Sequence, residues 1–240
     1  MYFNPWMWGM HMNNNMFIYL LIAMIIPLIA HAYLRSVFGR YKKERASSGL
    51  TGYEAARRML DRNGLHSIQI EQTNGKLSDH YDPRTRTVRL SPDIYNVPSV
   101  AAVAVAAHEV GHAIQHAENY IPLRLRSGFV PVVNIANRLG FLAIIAGIFL
   151  ELFVISNIGI ILIASLFVFQ LITLPVEFNA SRRALAGMDE MNILYDNNEK
   201  NGARRVLTAA ALTYVAALIV SLMELLRWIA ILNGSRGRRR

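Results

Sequence analysis

Hydrophobic positions along the chain fall into four long blocks separated by polar segments, and the blocks are too uniform for burial on one side only. The first spans residues 16 to about 34 without a charge and is interrupted by Pro27. The second and third form a nearly continuous tract, 139–155 and 158–176, parted by Ser156-Asn157. The fourth, 206–232, carries Glu224 and Arg227 one helical turn apart, a pair expected at an interface or facing other helices. A helix rises about 1.5 Å per residue, so each block is long enough to cross a hydrocarbon layer of about 30 Å. The middle two read as a helical hairpin with its tip at Ser156-Asn157. The first lacks a basic leader and a small-residue cleavage site, so it is expected to stay as an anchor. Buried helices of a soluble bundle are the competing reading, and the block lengths weigh against it.

Between the first and second blocks the pattern changes. Thr51-Gly52-Tyr53-Glu54 has the spacing of a capping box, so a helix should follow and stop near Asn63-Gly64. Ile68 and Ile70 then alternate with polar residues, and Asn74-Gly75 has the chemistry of a hairpin turn. Asp82-Pro83 marks another turn before the strand-like 85–90, whose edge is a candidate for pairing with an extended peptide. Pro98-Ser99 opens a helix rich in Ala and Val that continues through His116. The expected fold is an α-helical membrane protein with about four transmembrane helices and a small α+β unit between the first two. The expected segments are an anchor (1–34), an α+β segment (35–127), a transmembrane hairpin (128–176), a polar connection (177–205), and a last membrane helix with a basic tail (206–240).

Composition agrees with the pattern and adds limits. Of 240 residues, 53% are hydrophobic and only 17% charged, with a mean hydropathy of +0.27. Cysteine is absent, which excludes disulfides and thiolate metal sites, so any metal must be held by His and carboxylates. A net charge of +9 in so apolar a chain points to cytoplasmic loops and lipid headgroups, and no nucleic-acid partner is expected. Arg35, Arg40, Lys42, Lys43 and Arg45 follow the first block. Arg182, Arg183, Lys200, Arg204 and Arg205 lie between the third and fourth. The leader and the hairpin tip carry no Lys or Arg. The positive-inside rule therefore predicts a multi-pass protein of the plasma (inner) membrane with segments 35–127 and 177–205 facing the cytoplasm. Arg236 and Arg238–Arg240 run against this bias if the fourth block crosses once, unless that block re-enters.

The chemical signal is His108-Glu109-Val110-Gly111-His112. Residues i and i+4 share one face of a helix, so both imidazoles can reach one ion, while Glu109 points aside toward an attacking water. With seven His in the chain, random order would give this pattern about 0.01 times. A catalytic zinc site needs a third protein ligand and an open position. His116 continues the same face, but i to i+8 spans about 12 Å on a straight helix, too far for one ion. It is expected to be a group behind the ligands, a substrate-side group or a plain polar helix residue. Glu177, at the end of the third block, is the better third ligand. Two crossings separate it from residue 108, so both emerge on one side. Donors for the oxyanion that develops at the scissile carbonyl could be His80, Tyr81 or Tyr195, and the sequence leaves these open.

HEVGHAIQH at 108–116, LPVEFNASRRA at 174–184, the TGYEAARRML helix and LSDHYDPRTRTVRLSPDIY together resemble the YugP-like membrane zinc metallopeptidases, a group within the broader zincins. The resemblance covers about 48 to 214. It implies a zincin-like peptidase unit, Zn2+ held by His108, His112 and Glu177, Glu109 as the catalytic base, and a peptide or protein substrate beside the lipid bilayer. One departure concerns the position four after the Glu ligand. Many zincins have an acidic residue there to orient a histidine, and here it is Ser181. The rival reading is an inactive membrane scaffold or transporter subunit with a residual metal site. A non-haem iron oxygenase is a more remote rival, since two His and a Glu also suit iron.

Overall fold

The computed structural model describes residues 14–237; the leader and Arg238–Arg240 of the basic tail lie outside the described residues. Among the described residues, seven helices and three strands follow in the order α1 (Asn14–Tyr41), α2 (Gly52–Arg62), β1 (Gln69–Gln72), β2 (His80–Asp82), β3 (Thr87–Leu90), α3 (Pro92–Tyr95), α4 (Val100–Ala117), α5 (Ile121–Phe149), α6 (Phe153–Glu190) and α7 (Asn197–Gly237). Four of the helices are long and apolar enough to cross a membrane: α1, α5, α6 and α7. The chain divides into two compact units. One takes residues up to 30, 129–171 and 215 onward; the other takes 31–128 and 172–214.

The second unit holds the α+β fold. Thr51 caps α2, accepting from the Glu54 amide while the Glu54 carboxylate accepts from the Thr51 amide, as the capping box requires. Ser99 caps α4 by accepting from the Ala102 amide. The small side chains of α4 let it sit at the centre. Ala101, Ala102, Ala104, Ala106 and Ala107 are fully buried, and the helix packs on α2, α3, β2 and β3.

The sheet departs from the pattern-based expectation in two ways. Its order is β1-β3-β2, with β1 parallel and β2 antiparallel to β3. Asn74-Gly75 therefore joins no hairpin, because β1 finds its partner in β3 rather than in the next strand. The hairpin is at Asp82-Pro83, where Asp82 accepts from the Arg84 amide and Arg86 takes a positive φ of 53°. Strand β3 is central, paired on both sides, so it has no edge to offer a peptide.

The first unit is helical. The turn between α5 and α6 lies at 150–152, where Glu151 adopts φ 60°, and not at Ser156-Asn157. Ser156 instead lies buried within the hairpin, against Gly147. A Cβ on Gly147 would fall 2.3 Å from the Ser156 hydroxyl and 2.4 Å from its amide. Trp228 of α7 packs with Ile144 and Ile163 and meets the Phe141 ring edge-on. Arg227 lies over the Trp228 ring and pairs with Glu224 through a terminal nitrogen, while its Nε is buried without a hydrogen-bond partner. Helix α7 is continuous from Asn197 to Gly237. Along α1 the apolar side chains of Phe17, Met24, Leu28 and Ile29 are exposed, as a lipid-facing surface requires.

Candidate metal centre

Helix α4 places His108 and His112 one turn apart, with ring centroids 4.8 Å apart. Helix α6 lies directly against this turn. The reason is Gly111, where a Cβ would stand 2.6 Å from the Ala180 carbonyl oxygen. That approach brings Glu177, one turn before Ala180, up to both imidazoles. Its Oε2 is 3.2 Å from His108 Nε2 and 3.5 Å from His112 Nε2, and one ligand atom of each residue lies within 4.8 Å of the others. Metal bonds of about 2.0–2.2 Å in a tetrahedral site imply ligand separations of about 3.4 Å. The two nitrogens and one carboxylate oxygen thus fit zinc by both chemistry and spacing.

Polar neighbours fix the ligands from behind. The Gln115 carbonyl meets His112 Nδ1 at 3.0 Å, so Nδ1 carries the proton and the Nε2 lone pair is free. Gln115 Nε2 donates to the Val176 carbonyl at 2.8 Å and to Asn179 Oδ1 at 2.9 Å, strapping α4 to α6. Arg183 continues the chain, donating to Asn179 and, through its other nitrogens, to Glu118. Ser181 lies 3.2 Å from His108 Nδ1, so the hydroxyl supplies the hydrogen bond for which other zincins use an acid. Arg126, from the first turns of α5, pairs with Glu177 Oε1 at 3.1 Å, leaving Oε2 toward the histidines. Tyr214 of α7 stands beside Glu177 and Arg126.

Glu109 is not part of the ligand cluster. It is 8% exposed, and burial pushes its carboxyl up to about 7. The charge of His108 opposes that shift, the carboxylates of Glu177 and Asp79 add to it, and the Tyr81 amide donates to the carboxylate. A carboxyl poised there can take and return a proton near neutral pH. Asp79, itself raised by burial, is held by the amide and hydroxyl of Ser91.

His116 is absent from the cluster; its Nδ1 is paired with the Tyr81 hydroxyl at 2.8 Å. His80 Nδ1 meets the Ser78 carbonyl, and Tyr195 is an exposed residue ahead of α7. Sequence reasoning missed Gln115, Asn179, Arg126 and Tyr214. Gln115 carried a usable signal, since it follows His112 by three positions and shares its face. Arg126 and Tyr214 carried none, because only the packing of α5 and α7 brings them here.

The family described as "Putative neutral zinc metallopeptidase" matches residues 16–233 of the chain. A curated relative, "Putative membrane protease YugP" of Bacillus subtilis (strain 168), is 50% identical over 221 residues, which is 91% of this chain and 98% of that protein. The chain matches no solved structure.

Proposed function

Because the chain belongs to this family of neutral zinc metallopeptidases and is an integral membrane protein, we propose that it is a zinc-dependent endopeptidase with His108, His112 and Glu177 as metal ligands and Glu109 as general base. The observation that carries the reading is the convergence of three ligand atoms from α4 and α6 beside a buried carboxyl that is not one of them. Zinc, when bound, supplies a Lewis acid that acidifies a water and polarises the scissile carbonyl. The chain's own residues do the rest. Glu109 accepts the proton of the attacking water as its oxygen bonds to the carbonyl carbon. It returns that proton to the amine nitrogen as the C–N bond breaks. Gln115 and Ser181 hold the two rings, and Arg126 holds the spare oxygen of Glu177, so the ligand geometry is set before substrate arrives. The clustering of basic residues around the catalytic segments supports a plasma-membrane location with the site on the cytoplasmic side.

Metal analysis of purified variants in mild detergent tests the assignment. Glu109→Gln should retain about one zinc per chain while peptide hydrolysis falls by roughly 10²–10⁴-fold. His112→Ala and Glu177→Ala should lose zinc and activity together, whereas His116→Ala should keep its zinc. A Glu177→Ala protein with full zinc would remove that residue from the ligand set. An active Glu109→Gln protein would end the general-base mechanism.

A further inference from the structure

Away from the metal centre, the C-terminal end of α1 and the N-terminal end of α7 enclose a pocket of about 380 Å³ lined by Arg40, Tyr41, Glu44, Asn198, Asn201 and Arg205. Asn198, Asn201 and Arg205 recur at i, i+3 and i+7, so one face of α7 supplies them. The two helix ends are held together firmly. A Cβ on Gly202 would stand 2.6 Å from the Tyr41 ring, and this contact buries Tyr41 as the pocket floor. The buried Glu199 carboxylate accepts from the amide and hydroxyl of Ser47, both at 2.6 Å, and from the Tyr195 amide.

The charge in the pocket is unbalanced. Arg57, Arg62, Arg89, Arg126, Arg183 and Arg227 all pair with carboxylates. Arg40 and Arg205 are among the described arginines with no carboxylate partner, as are Arg35, Arg45 and Arg58, and Arg40 overlies the Tyr41 ring. With Glu44 as the one acid, the lining carries a net charge of one positive unit. That matches a phosphate diester, which has one negative charge, better than a dianionic monoester. The two asparagine amides and Glu44 can bind hydroxyl groups next to it. Position selects the source. Both helices are long and apolar enough to cross a membrane, Phe17–Tyr41 ending and Asn197–Leu232 beginning at this pocket, and such span ends belong at the depth of headgroups.

We propose that this pocket binds the phosphodiester of an anionic phospholipid headgroup, with Arg40 and Arg205 as its cationic contacts. The site is independent of the peptidase reading and would stand if that reading failed. The test is native mass spectrometry of the full chain in detergent, titrated with phosphatidylglycerol, phosphatidylcholine or inorganic phosphate. One phosphatidylglycerol should bind in preference to phosphatidylcholine. The double variant Arg40→Gln/Arg205→Gln should weaken it about thirtyfold, the product of two surface charge contacts. Removing two exposed charges elsewhere, Arg58→Gln/Lys76→Gln, should leave it unchanged. Asn201→Leu, which keeps both arginines and fills the pocket, should weaken binding as well. Equal losses in the two double variants would reduce the effect to diffuse surface charge and overturn the site. Equal binding of phosphatidylcholine, or displacement by millimolar inorganic phosphate, would overturn its lipid specificity.

Discussion

Gln115 shows what a single side chain contributes at the metal centre. Its carbonyl fixes the proton of His112 and its amide ties that carbonyl to α6, so one residue sets both the tautomer and the spacing of two ligand-bearing helices. Gln115→Leu should therefore weaken zinc about 10–100-fold in a chelator competition, the range for losing a partner behind a ligand. Asn179→Ala, which removes one of the two anchors, should fall between that variant and the parent. A lowered melting temperature with unchanged zinc affinity would assign Gln115 to packing alone. Residues of this kind were partly legible. The approach of His108 to His112 could be read because helical periodicity converts a short spacing into a shared face. Glu177 needed topology as well as spacing. Arg126 and Tyr214 depend on how distant helices pack, and no local pattern records that.

At the scale of elements, the site depends on two helices touching backbone to backbone. Gly111 faces the Ala180 carbonyl, which cannot turn aside as a side chain could. Gly111→Ala should push α4 from α6, cost about 1–3 kcal/mol by overpacking, and lower zinc content because the ligand separations open. Gly128→Ala, at a helix position with open space around it, should leave both unchanged or slightly raise stability. Thermal melts and metal analysis of the two variants make the comparison. The caps of α2 and α4 were legible because capping is local chemistry. The parallel pairing of β1 with β3 was not, since its partners are far apart in sequence and Asn74-Gly75 imitates a hairpin turn. The α5–α6 turn was misplaced for a related reason. The polar pair Ser156-Asn157 looked like a break, while the real turn at 150–152 is flanked by apolar residues and rests on the left-handed Glu151.

For the whole molecule, the four long blocks were visible from hydropathy and all four are present as helices. Their orientation is expected from charge: a reporter placed at Lys76 or Asn192 should be cytoplasmic, and one at Glu151 external. Opposite locations for the first two would sink both the hairpin and the assignment of Glu177 as a ligand. Helix α6 then has a consequence for what can be cut. Glu177 is the first residue after the apolar run 158–176 of α6, two positions past Pro175. With Glu177 as the proposed ligand, the metal site would have a set height, within the roughly 5–8 Å layer of headgroups that borders the hydrocarbon. Bonds would be chosen by altitude as much as by sequence. Membrane-anchored peptides carrying the same scissile sequence on stiff helical spacers, at about 1.5 Å per residue, should lose cleavage as the spacer lifts the bond out of that layer. A target rooted in the bilayer would meet the site on arrival, and a soluble one would first have to descend to it.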